Sequence, residues 1–107
     1  MGTLYYGAQR VPVEVEDRLL AHLKAVILVK LRRQESFALN IRESADAGSG
    51  RHTLWIHPAL DLHFQFLGSR PPALDRELLS DLEQQASSAR GIDLEDGASV
   101  AAGRSRY

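Results

Sequence analysis

The stretch from Asp17 to Arg33, DRLLAHLKAVILVKLRR, does most to limit what this chain can fold into. Leu19, Leu20, Leu23, Val26, Ile27 and Leu31 recur at helical spacing and form one apolar stripe. Asp17 is placed as the N-cap, since its short carboxylate can accept from backbone N–H groups one turn on. Lys30, Arg32 and Arg33 gather at the C-terminal end, where the helix dipole favours cations. Such a stripe has to be covered. Most of the remaining chain alternates with a period of two, so the cover is a sheet.

The alternation is clearest at Leu60, Leu62, Phe64 and Phe66, with Asp61, His63 and Gln65 between them. It recurs at Phe37, Leu39 and Ile41, at Thr53 to His57, and at Val11, Val13 and Val15. Thr3 to Tyr6 reads as a further short strand. Pro12 argues for an edge strand or a strand just beginning. Ser44 to Arg51, polar and rich in glycine, reads as a flexible hairpin loop. A second helix is predicted from Asp75, with Leu78, Leu79, Leu82, Ala86 and Ala89 as its stripe and Gly91 as its C-terminal cap. Ile92 and Leu94 suggest one last strand. The predicted fold is therefore α+β: an antiparallel sheet in the order ββ–α–βββ–α, with both helices packed on one face. Residues 1–95 are expected to form a single domain, and residues 96–107 a flexible C-terminal tail.

Composition bounds the function. With 13 basic and 14 acidic residues the net charge is −1, so any polyanion-binding surface has to be a local patch. There is no cysteine, which excludes disulfides, thiolate nucleophiles and cysteine-ligated zinc. Neither a signal peptide nor a membrane-spanning run is evident, and the expected setting is cytoplasmic. The serines sit in no nucleophile-elbow context, and Gly48-Ser49-Gly50-Arg51 lacks the lysine of a phosphate loop.

Two surfaces remain. The first is basic: Lys30, Arg32 and Arg33, joined by Arg51, form a candidate phosphate clamp. Glu35 would neutralise part of it. The second is the sheet face turned away from the helices, where alternation puts Arg42, Trp55, His57 and His63 beside Asn40, Thr53 and Gln65. A lone Trp there is more often covered by a neighbouring segment or a second subunit than used to stack a base. His57, His63 and Asp61 match no tight ligand spacing, so no metal and no cofactor is expected. The α–βββ–α portion shares its topology with double-stranded-RNA-binding domains. However, the predicted second helix opens Asp75-Arg76-Glu77 and continues through Asp81 and Glu83, which would repel a phosphate.

Taken together, Tyr5-Tyr6-Gly7, the helix from Asp17-Arg18 to Lys30-Leu31-Arg32-Arg33, Trp55-Ile56-His57-Pro58 and Gly68-Ser69-Arg70 resemble a family of small actinobacterial proteins. The resemblance covers roughly residues 1 to 94. Asn40 and Leu78 stand where such sequences often carry Trp. Members are often labelled "ATP-dependent DNA ligase", so the resemblance implies a DNA-linked context. The ligase motif Lys-x-Asp-Gly is nevertheless absent, because the only lysines are Lys24 and Lys30. The expected protein is a non-catalytic binding domain. Its leading expected partner is nucleic acid or a nucleic-acid-associated protein, met through the basic helix end. The alternative is a protein-interaction or homodimer surface around Trp55, with no membrane involved.

Overall fold

The structure, a computed structural model, describes residues 1–43, 50–95 and 98–100. The chain opens with β1 (Gly2–Tyr6) and β2 (Val11–Val15), a hairpin that feeds α1 (Asp17–Arg32). Then follow β3 (Phe37–Arg42), β4 (Arg51–Ile56) and β5 (Leu62–Gln65), then α2 (Arg76–Ala86), β6 (Ile92–Leu94) and β7 (Ala98–Val100). The class is α+β, as the alternation and the two stripes predict.

The strands do not make one sheet. They form a four-stranded sheet in the order β5-β1-β2-β7 and a three-stranded sheet in the order β4-β3-β6. Every pairing is antiparallel except β3 with β6, which run parallel around the α2 crossover. The expected β3-β4-β5 meander is thus broken at its last step. Pro58 lacks the N–H a ladder needs, and the Leu60 N–H bonds His57 O across a turn. Asp61 O then accepts from the Gly7 N–H, and β5 pairs with β1.

For β2 the second alternative holds: Pro12 is its second residue, in a strand that lies between two others and not at an edge. β7 pairs with Val13–Val15 alone, so the missing N–H of Pro12 lies beyond the paired segment. β7 itself falls within the stretch 96–107 expected to be a tail. The rest of that stretch, and most of the expected 44–51 loop, lies outside the described residues.

One core joins the two sheets and helices. Leu4, Val13, Val15 and Val100 from the first sheet meet Phe37, Leu39, Ile41, Ile56, Ile92 and Leu94 from the second. Leu20, Leu23, Val26 and Ile27 of α1 and Leu82 and Ala86 of α2 complete it. α1 packs on β1 and α2, and α2 also packs on β3 and β6. Glu43 adds a polar tie. Its side chain is 4% exposed, and Oε2 accepts from His52 Nε2 at 2.8 Å and from the β7 Val100 N–H at 3.4 Å.

Two helix ends differ from expectation. Glu16 is the N-cap of α1 and makes no side-chain capping bond, while Asp17 is the first helical residue. Asp17 Oδ2 instead accepts from the Leu67 N–H at 3.2 Å, tying the helix start to the segment after β5. At the other helix Asp75 is the N-cap as predicted, accepting from the Glu77 N–H at 2.8 Å. That bond, together with Arg18 alongside, holds its carboxyl below the ordinary carboxylate range. Gly91 is not the cap of α2, because the helix ends at Ala86 and Ser87 caps it. Gly91 lies further on, at φ +83°, against the backbone of Ala38.

Candidate interaction surface around Trp55

The four cations of the predicted phosphate clamp do not converge. Lys30 is 12% exposed in its side chain; its Nζ donates to Glu35 Oε1 at 3.0 Å and to Ser87 Oγ at 2.7 Å. Its charge is therefore matched and its donors are directed inward. Arg32 and Arg33 are exposed and make no ion pair among the described residues. Arg51 is far from them. It pairs with Arg42 at one end of the β3–β4 ladder, while Phe37↔Ile56 marks the end nearest α1. Five residues of extended chain separate those ends, about 17 Å.

The mixed face is likewise divided. His63 belongs to β5 in the other sheet, its ring centroid 5.3 Å from that of Tyr5, with Arg10 stacked 4.4 Å above the Tyr5 ring. His57 lies past the end of β4, in the turn to β5. Among the described residues, no three His, Asp or Glu side chains come together as metal ligands. Arg42, Thr53 and Trp55 do share the outer face of the three-stranded sheet, with Asn40 at its centre. Asn40 donates to Asp93 Oδ1 at 2.9 Å and to Arg90 O at 2.8 Å, and accepts from Thr53 Oγ1 at 2.8 Å. Arg42 is paired with Glu95 and Arg90 with Asp93. Exposed pairs of this kind add little stability, but they leave this part of the face internally satisfied.

Trp55 is the exception. It is 54% exposed on β4, an edge strand of its sheet. Beside it lies a hollow of about 440 Å³ lined by Lys30, Glu35, Phe37, Ala38, Ser87 and Ala89 among others. The indole therefore borders the last turn of α1, and the two surfaces read separately from the sequence meet there.

The backbone of β4 adds a second property. The Glu43 N–H bonds Gly50 O at 2.8 Å, which makes 43/50 a hydrogen-bonded pair. Alternation makes 41/52, 39/54 and 37/56 hydrogen-bonded too, and leaves 42/51, 40/53 and 38/55 as the other kind. The N–H and C=O groups of Arg51, Thr53 and Trp55 consequently point away from β3, towards the open edge. The Tyr6 hydroxyl donating to Trp55 O at 3.0 Å agrees with this.

The family description "Domain of unknown function (DUF7882)" belongs to a model that matches residues 1–97. The chain belongs to that family. Comparison with curated proteins and with solved structures finds no match. The DUF7882 match spans every element from β1 to β6, and β7 lies beyond it. No helix among the described residues of this DUF7882 chain is long and apolar enough to cross a membrane.

His22 interrupts the apolar stripe of α1 and is not among the candidate site residues that the sequence suggests. It is fully buried between the helices, with Nδ1 2.7 Å from Arg18 O and Nε2 2.8 Å from the Asp75 N–H. Only its interruption of the stripe could have marked it.

Proposed function

We propose that this DUF7882 domain is a non-catalytic module that binds another protein through Trp55 and the open edge of β4. The observation that supports it is a lone, half-exposed indole on an unpaired strand edge. Trp is enriched at the centres of protein interfaces, and free strand edges are templates for pairing. The photochemistry of position 55 tests it. A benzophenone-bearing phenylalanine in place of Trp55 should form protein adducts under illumination, whereas the same group in place of Glu83 on α2 should not. No adduct at 55, or adducts that a nuclease removes, would overturn it.

A second reading rests on Arg32 and Arg33, two exposed guanidiniums without ion-pair partners among the described residues. It is contact with nucleic acid. Two neutralised phosphates correspond to a slope of about −2 in log K against log salt. Arg32→Ala with Arg33→Ala should then abolish anisotropy changes of labelled duplex DNA and single-stranded RNA. A wild-type signal that is absent or independent of salt removes this reading.

A further inference from the structure

We propose that the partner at the β4 edge is a second copy of this chain, with the two β4 strands paired antiparallel about Thr53; this rests on the reading of Trp55 and β4 as the interaction surface. Natural sheets protect their edges with short strands, prolines, bulges or charge. The other edges follow that rule: β6 and β7 have 3 residues each, and β5 has 4. β4 has 6 residues, RHTLWI, with no proline and a charge only at its first position. Among the described residues no strand pairs with its outer side, where the one hydrogen bond is from the Tyr6 hydroxyl to Trp55 O.

The sequence of β4 is complementary to itself. Arg51, Thr53 and Trp55 alternate along the outer face, and all three are exposed. A two-fold axis through Thr53, perpendicular to the sheet, sets Thr53 opposite Thr53 of the second copy. It sets Arg51 opposite Trp55 of the second copy, twice. The guanidinium then lies against an indole face, the arrangement that favours a cation most among aromatic side chains. Within its own sheet Arg51 instead faces Arg42, a like charge directly across the ladder.

The backbone is arranged for the same register. Because Thr53 directs its N–H and C=O outward, the central pair forms two reciprocal hydrogen bonds. The Trp55 N–H meets Arg51 O on either side. Trp55 O, already accepting from Tyr6, has a second lone pair for the Arg51 N–H. The result is a continuous six-stranded sheet, β6-β3-β4 joined to its two-fold mate. An unrelated peptide strand would satisfy the edge, but nothing would require its side chains to mirror Arg51 and Trp55.

Light scattering after size exclusion, at loads from about 10 µM to about 1 mM, reads the association directly. The wild type should move from 11.9 kDa towards twice that mass. The Trp55 emission should shift to the blue over the same range. Thr53→Pro removes an N–H that β3 does not use, so the domain keeps its ladder while self-association weakens by at least about tenfold. Trp55→Arg should leave a monomer by setting guanidinium against guanidinium. Arg51→Trp combined with Trp55→Arg should restore the dimer, because each indole again faces a cation; that rescue needs a folded chain and a two-fold partner. A wild type that stays monomeric at every load overturns the proposal. So does a dimer insensitive to both Thr53→Pro and Trp55→Arg with unchanged circular dichroism. Monomeric wild type with protein adducts persisting at position 55 defeats the second-copy assignment alone, whereas loss of both defeats the broader reading as well.

Discussion

Gly91→Ala should destabilise the domain by about 3 kcal/mol or more, lowering Tm by roughly 12 °C or more. Two independent terms add. Gly91 sits at φ +83°, where an L-residue loses about 1 kcal/mol relative to glycine. A Cβ there would also overlap the Ala38 carbonyl oxygen and stand 2.9 Å from the Ala38 carbonyl carbon and Cβ. Ala38 lies in β3, the central strand of its sheet, so no side-chain rotation relieves the overlap. Either β3 or the start of β6 has to move, and overpacking of that sort costs about 1–3 kcal/mol. Urea unfolding followed by circular dichroism measures the sum. A loss below about 1 kcal/mol would mean that β6 can shift away from β3 freely, against the close approach described above.

His22→Ala should cost about 3 kcal/mol, by a different route. Nε2 receives the Asp75 N–H, so it carries the lone pair; Nδ1 therefore bears the proton and donates to Arg18 O. The neutral ring is a two-ended connector between the first turn of α1 and the cap of α2. Truncation removes both bonds, leaves the Asp75 N–H without its acceptor, and opens a space where a fully buried ring stood. His22→Gln restores one hydrogen-bonding end and should recover part of the loss. Equal stabilities for wild type and His22→Ala would show that water replaces the ring at no cost.

The helices, the strands and the facing of most side chains follow from local pattern. The stripe of α1 is buried where its spacing puts it, and Phe37, Leu39 and Ile41 turn inward as their alternation requires. Alternation reports which way a side chain points, but it is silent about which strand lies alongside. β5 would satisfy its apolar residues next to β4 or next to β1 equally well. Its choice depends on the Pro58 turn and on partners such as Tyr5, whose hydroxyl reaches Gln65 Oε1 at 3.0 Å. β7 was invisible for a related reason: Ala-Ser-Val has no strand pattern of its own, and β2 supplies the template.

The candidate site was legible in part. Trp55 stood out because a large indole in an alternating strand has to be explained. Its exposure could not be read locally, since a covering segment or a second subunit would leave the same alternation in the sequence. Glu35 is close enough in sequence to Lys30 for its neutralising effect to be foreseen. Ser87, which completes the capture of Lys30, arrives from 57 positions later. Arg51 matches the helix end in charge, but the length of β4 holds it at the far end of the ladder, a separation that charge alone does not reveal.

The central place of β1 in its sheet has a consequence for how the chain is made. One neighbour, β2, is available at once, but the other, β5, is synthesised some 60 residues later, and the outer side of β2 waits for β7. The β1–β2 hairpin is thus left with one flank open until β5 has been made and the other open until β7 has been made. Loop closure over such distances precedes any reward from pairing, so folding should be slow for the domain's size. It should also be all-or-none. Chains stalled before β5 should remain protease-sensitive throughout, β1 and β2 included.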